Sequence, residues 1–151
     1  MKITCLLLLF ACFLQDKPFV SLSDAKKVRG MHARLTTNAT KEKDGVIKHD
    51  LAFTGTIDTN SHLYVLSAKY TGGAAAHQAY AAIVSANAGM PGQEKLNGIG
   101  DEAFFHTDSQ HFELLIFRKN DRMVTLKVNR ITAKTSVTEL RKLAGKIEND
   151  L

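Results

Sequence analysis

The chain has 151 residues with net charge +5, 44% hydrophobic and 23% charged residues, and only two prolines. That is enough chain for one domain to bury about two thirds of its unfolded surface, and the composition excludes a disordered or fibrous protein. From Arg118 onward nine Lys/Arg face four Asp/Glu, but these charges are spread over several elements with few aromatics between them. They read as a solvated face, and no nucleic-acid partner is expected.

Met1 and Lys2 precede a run from Ile3 to Leu14 that is apolar apart from Thr4. A spanning helix needs about 20 apolar residues, so this run is too short to cross a bilayer and fits the hydrophobic region of an export signal. Residues 1–14 are therefore assigned to a signal and 15–151 to a single domain. Two cleavage readings stay open. Leu9-Phe10-Ala11-Cys12 looks like a bacterial lipobox, with Cys12 as the lipidated residue, although Phe10 stands where a small residue is usual. Plain signal-peptidase cleavage is the other, without a clean A-x-A site. Both cysteines, Cys5 and Cys12, lie in this segment, so the body is expected to have no disulfide and no thiolate chemistry.

A short helix is predicted over 21–30, capped by Ser21 or Ser23 and ended by Gly30. Threonine-rich and alternating runs predict strands over 33–40 and 46–54, joined through Asp44-Gly45, a hairpin pair that tolerates positive φ. A third strand, 62–70, places Tyr64, Leu66, Ala68 and Tyr70 on one side. The alanine-rich stretch 74–87 predicts a helix with Ala76, Tyr80, Ile83, Val84 and Asn87 on one stripe, closed by Gly89 and Pro91-Gly92. Strands follow over 102–107, 112–119 and 122–129, the last two joined at Asn120-Asp121. In the final strand Val124, Leu126 and Val128 face the core, and Thr125, Lys127 and Asn129 face away. A closing helix starts at a Ser136/Glu139 capping box and repeats Val137, Leu140, Leu143, Ala144 and Ile147 at helical spacing. The expected fold is α+β: a mainly antiparallel sheet of five to six strands, with two amphipathic helices packed on one face.

Gly98-Ile99-Gly100-Asp101-Glu102-Ala103-Phe104-Phe105, followed by the apolar hairpin and the C-terminal helix, resembles a group of small bacterial exported lipoproteins and extracytoplasmic sensor-like domains. These carry a Gly-x-Gly-Asp-Glu-Ala-aromatic turn. The resemblance spans roughly residues 62–148. It implies an α/β sandwich acting outside the cytoplasm, in a group whose members mostly lack an assigned activity. Read physically, the glycines permit a sharp turn, Asp101 can bond backbone within it, and one phenylalanine anchors the strand. A competing reading makes Asp101 and Glu102 cation ligands, but adjacent strand residues point to opposite faces.

No catalytic set gathers in the sequence. The six histidines are His32, His49, His62, His77, His106 and His111, and none pairs with another at metal-binding spacing within an element. Only His106 and His111, flanking a turn with Asp108, are positioned to approach each other. No Gly-x-Ser-x-Gly elbow or phosphate loop is present, and Gly72-Gly73 before a helix is the sole anion cradle in view. Asn38-Ala39-Thr40 matches a glycosylation sequon, relevant only in a eukaryotic secretory route. The expectation is a non-enzymatic extracytoplasmic module without cofactor or bound metal, periplasmic, membrane-anchored or secreted. It would bind an envelope protein or small ligand through the uncovered sheet face at Thr125, Lys127 and Asn129, with a membrane tether through Cys12. The alternatives are a metal-dependent enzyme using the His106/Asp108/His111 turn, and a small-ligand carrier with an apolar pocket near Tyr80, Ile83 and Phe117. Oligomeric state has no signature in the sequence.

Overall fold

The computed structural model describes residues 19–30 and 32–151; the leader reading and Cys12 lie outside the described residues. The elements run α1 (Leu22–Arg29), β1 (Ala33–Lys43), β2 (Val46–Gly55), β3 (His62–Lys69), α2 (Gly73–Ala86), β4 (Gln93–Leu96), β5 (Glu102–Thr107), β6 (Glu113–Lys119), β7 (Arg122–Val128) and α3 (Val137–Asn149). The strands form one antiparallel sheet in the order β1-β2-β3-β7-β6-β5-β4. The α+β class and antiparallel sheet follow the expectation, with seven strands and three helices among the described residues.

The additional strand is β4. Its residues Gln93, Glu94 and Lys95 are exposed and only Leu96 is buried, so it has no apolar alternation to announce it. Backbone pairing to β5, Gln93 opposite His106 through Leu96 opposite Ala103, makes it a short polar edge of the kind that discourages further strand addition.

Local chemistry explains the turns. Asp44 and Gly45 take φ of 53° and 73° between β1 and β2, and Asn120 takes 54° between β6 and β7. Ser21 and Asp24 form a complete capping box on α1, and Gly30 at φ 64° donates its N–H to the Lys26 carbonyl. On α3 only half the expected box forms. Ser136 Oγ accepts the Glu139 N–H at 3.2 Å, while the Glu139 carboxylate turns to Lys142 Nζ at 2.7 Å. Nor does Gly89 close α2; Asn87 does, its side-chain amide donating to the Ile83 carbonyl at 2.7 Å.

The expectation of helices on a single face is corrected. Helices α1 and α3 cover one face, over Leu51, Phe53, Leu63, Val65, Phe105, Leu115, Phe117, Val124, Leu126 and Val128. Helix α2 lies on the other, where Tyr80, Ile83 and Val84 pack with Phe104, Ile116 and Met123. The cause is in β5–β7. Phe104 and Phe105, Ile116 with its neighbours Leu115 and Phe117, and Met123 and Val124 present large apolar groups alternately to both faces. Each such side chain left in water forgoes about 1.5–3 kcal/mol, so one layer of helices is not enough. Helix α2 covers only the β5–β7 half, and over β1–β3 the same face stays open.

The Gly98/Gly100 turn offers a direct check. Gly98 has φ 78° with open space around its missing Cβ; Gly100 has φ 60° and a Cβ there would fall 2.4 Å from the Arg118 carbonyl oxygen. Gly98→Ala should cost about 1–2 kcal/mol from backbone conformation alone. Gly100→Ala should cost clearly more, about 3 kcal/mol, because the clash adds to it. Urea denaturation of the two variants measures the difference.

Candidate functional site

The half-open face is organised in rows that cross the sheet. One runs Ala52, Tyr64, Lys127, Leu114, His106 and Gln93, each residue opposite the next on the neighbouring strand. The next runs Asp50, Leu66, Thr125, Ile116, Phe104 and Lys95. At the β5–β7 end, Ile116 and Phe104 lie beneath α2. At the β2–β3 end, Tyr64 is 41% exposed, and a groove of about 270 Å³ runs past Thr37, Asp50, Ala52, Tyr64 and Leu66.

Thr125 and Lys127 lie in these rows, half-buried and exposed respectively. Asn129 does different work. Its Oδ1 accepts the His62 N–H at 2.6 Å and its Nδ2 donates to the Asn60 carbonyl at 3.0 Å, so both ends of the amide hold the β2–β3 loop. Residues that the sequence reading did not assign to a binding surface complete it: Tyr64, Leu66 and Leu114 on the strands, and Met90 and Pro91 on the α2–β4 loop. Strand alternation puts Tyr64 and Leu66 on one face, and the register through Lys127 adds Leu114; nothing in the sequence places the loop above them.

A cleft of about 420 Å³ lies where that loop meets the sheet. Met90, Pro91, Phe112 and Leu114 form apolar walls, and Asn87, His106, Asp108 and Lys127 supply polar groups. The Gln93 side chain donates to the Asn87 carbonyl and ties the loop to β4. His106 is 6% exposed, meets the Phe112 ring edge-on with 5.0 Å between centroids, and has no hydrogen-bond partner for Nδ1.

The two histidines of the proposed turn are held apart. Asp108 Oδ1 accepts the N–H groups of Gln110, His111 and Phe112 at 3.1, 2.7 and 3.1 Å, and Oδ2 meets His111 Nδ1 at 2.6 Å. These bonds, led by the His111 N–H, hold the Asp108 carboxyl far below the usual range. Thus Asp108 caps its own loop, His111 lies beside it in solvent, and His106 turns to the cleft. Among the described residues no group of three or more His, Cys, Asp or Glu is placed to hold a metal ion. The pocket expected near Tyr80, Ile83 and Phe117 does not have that lining; a cleft of about 580 Å³ opens beside Tyr80, but its walls are Val84, Phe104, Glu102 and the β4 residues Gln93, Glu94 and Lys95. Tyr80 and Ile83 belong to the α2 side and Phe117 to the α1/α3 side, with the sheet between them. Gly72 caps α2 in extended conformation, with no side-chain bond at that cap.

Asp101 and Glu102 converge on one cation within the chain. Arg118 reaches Asp101 Oδ2 at 2.8 Å and Glu102 Oε1 at 2.6 Å, and His77 Nδ1 from α2 meets the same Glu102 oxygen at 2.8 Å. Asp101 Oδ2 also accepts the Asn120 N–H at 2.8 Å. The cluster fastens the Gly-x-Gly turn and α2 to the β6–β7 hairpin. Burial pushes the Glu102 carboxyl up, but its bonds to Arg118 and His77 outweigh burial and hold it below the usual range. On the opposite face Glu113 is 3% exposed, with no partner for Oε2, and burial pushes its carboxyl up.

No protein-family model matches the chain, and no curated protein matches it.

The two glutamates predict opposite pH behaviour. The Glu102 carboxyl is depressed on folding, so its contribution is present above about pH 4.3, the unfolded value, and is lost as pH falls through the folded one. Arg118→Met should cost about 2 kcal/mol at pH 7 and progressively less as the pH falls below the unfolded carboxyl value, with the cost of the lost Arg118 bond to the Asn120 carbonyl remaining. The Glu113 carboxyl is raised, so the folded chain loses stability as pH climbs from about 4.3 through its folded value. Glu113→Gln should therefore stabilise by about 1 kcal/mol at pH 8 and be nearly neutral at pH 4. Denaturation of both variants across pH measures the two trends.

Proposed function

We propose that the protein is a non-enzymatic binding module that works outside the cytoplasm and engages its partner through the half-open sheet face. The single observation behind the surface is the incomplete cover of that face. Helix α2 is spent on Phe104, Ile116 and Met123, while Tyr64 and Lys127 remain exposed and Leu66, Leu114 and Thr125 half-buried. An apolar and polar mixture of this kind, on rigid strands, suits recognition more than solvation. The chemistry displayed supports binding over catalysis. The acids at 101 and 102 are committed to Arg118, and Asp108 is committed to its own loop. Export is supported by the sequence alone, through Lys2, the Ile3–Leu14 run and the placement of both cysteines within it. Cys12 is the proposed lipid-bearing residue, and kinship with the exported lipoprotein group is part of the same reading.

Two measurements test this. Intact-mass spectrometry of protein purified from its host should show loss of the leader, with Cys12 as a lipid-modified N-terminus. A chain still beginning at Met1 contradicts export. A photo-crosslinking residue at Thr125 should give adducts with envelope components that the same residue at Lys142, on α3, does not. Equal yields at both positions contradict the surface assignment.

A further inference from the structure

We infer that the cleft at the edge of this face is a site for a small amphipathic acid: a carboxylate on an apolar body that carries a second hydrogen-bonding group. The inference rests on the reading of this face as the binding face and goes further by naming a ligand class.

Three features of one cross-sheet row carry it. Lys127, Leu114 and His106 are successive neighbours on β7, β6 and β5. Lys127 is exposed and enters no ion pair among the described residues. It supplies a cation that a carboxylate satisfies. Leu114, with Met90, Pro91 and Phe112 around it, supplies apolar contact for the body. His106 is buried, and its Nδ1 has no hydrogen-bond partner. A buried polar group left unmatched is costly, and in native proteins such a group usually has a partner or a use. The imidazole packs edge-on against the Phe112 ring and its Nδ1 is sealed from solvent, so a ligand reaches it through a small side-chain shift at the cleft wall.

The row sets the spacing. Neighbouring strands lie about 4.8 Å apart, so the lysine and histidine positions are separated by roughly 10 Å across Leu114. A ligand that satisfies both has its carboxylate at one end and a hydroxyl or amide about one medium-length chain away. The cleft volume, about 420 Å³, falls within the range of small-molecule sites, which are mostly apolar with a few placed polar groups. Asp108 also borders the cleft, but its charge is met by three backbone N–H groups and His111, so it offers little opposition to an anion.

The test uses three probes of one chain length: 8-hydroxyoctanoate, octanoate and 1-octanol. Binding is followed by titration with NMR of the Leu114 methyls and the His106 ring, on the whole protein. Affinity should fall in that order, with the step from octanoate to octanol about tenfold, as expected for a charge-assisted hydrogen bond worth at least one decade in binding. Lys127→Met should abolish the difference between octanoate and octanol and leave the hydroxyl preference. His106→Phe, which keeps a ring against Phe112, should abolish the preference for 8-hydroxyoctanoate and leave the charge preference. Absence of binding by all three probes, perturbation centred away from Leu114, or either preference surviving its matching substitution overturns the assignment. Failure here leaves the crosslinking result at Thr125 standing, so the ligand class and the binding face are judged separately.

Discussion

The structure depends on a pair of strands that are apolar on both faces. In β6 and β7, Leu115, Phe117, Val124 and Leu126 point one way, and Ile116 and Met123 point the other. A strand with one wet face needs cover on one side only; these need it on both, and the near-continuous apolar run Leu114–Phe117 of β6 is the signature of double burial. Helices α1 and α3 meet the first demand, and α2 meets the second. Since α2 has 14 residues, about 21 Å of helix, it spans part of a seven-stranded sheet and leaves the rest of that face to solvent. The open half and its bordering cleft are consequences of this mismatch between one helix and one wide sheet.

The same constraint gives the Gly-x-Gly-Asp-Glu segment its role. A helix laid on one half of a face must be held against sliding toward the other half. His77 on α2, Glu102 on β5 and Arg118 on β6 form a chain of contacts at 2.8 and 2.6 Å, and Tyr80 meets Phe104 edge-on with 6.1 Å between centroids. On the far side Lys146 joins Asp24 at 2.7 Å, which links α3 to the capping box of α1. Both acids that invited a ligand reading are thereby consumed in positioning the layers.

Much of the fold was legible because its signals are local. Asp44-Gly45 and Asn120-Asp121 mark hairpins through their tolerance of positive φ. Alternation in 122–129 correctly separates Val124, Leu126 and Val128 from Thr125 and Lys127. The side taken by α2 was harder, since its stripe of Ala76, Tyr80, Ile83 and Val84 says that it packs without saying where. The pointer was the unbroken apolar run Leu114–Phe117, which strand alternation divides between the two faces. Strand β4 was silent because backbone pairing, not side chains, defines it. The cleft was out of reach for a different reason. Met90, Leu114 and Lys127 come from three separate segments, and only the sheet register brings them together. Asn129 shows the limit of alternation: pointing away from the core does not make a side chain available, and its amide is consumed in the β2–β3 loop.

The chain has three tyrosines, Tyr64, Tyr70 and Tyr80, which sample this face from open to covered. Tyr64 is 41% exposed, and Tyr80 is 8% exposed. Burial, and then the Glu102 charge, push the Tyr80 phenol up to about 12. Limited iodination acts on the phenolate, and peptide mass spectrometry of the folded protein would read the three sites separately. Half-coverage by α2 requires Tyr64 to be modified first and Tyr80 to resist until the protein unfolds. Modification of Tyr80 as early as Tyr64, or protection of Tyr64 in the isolated chain, would contradict it.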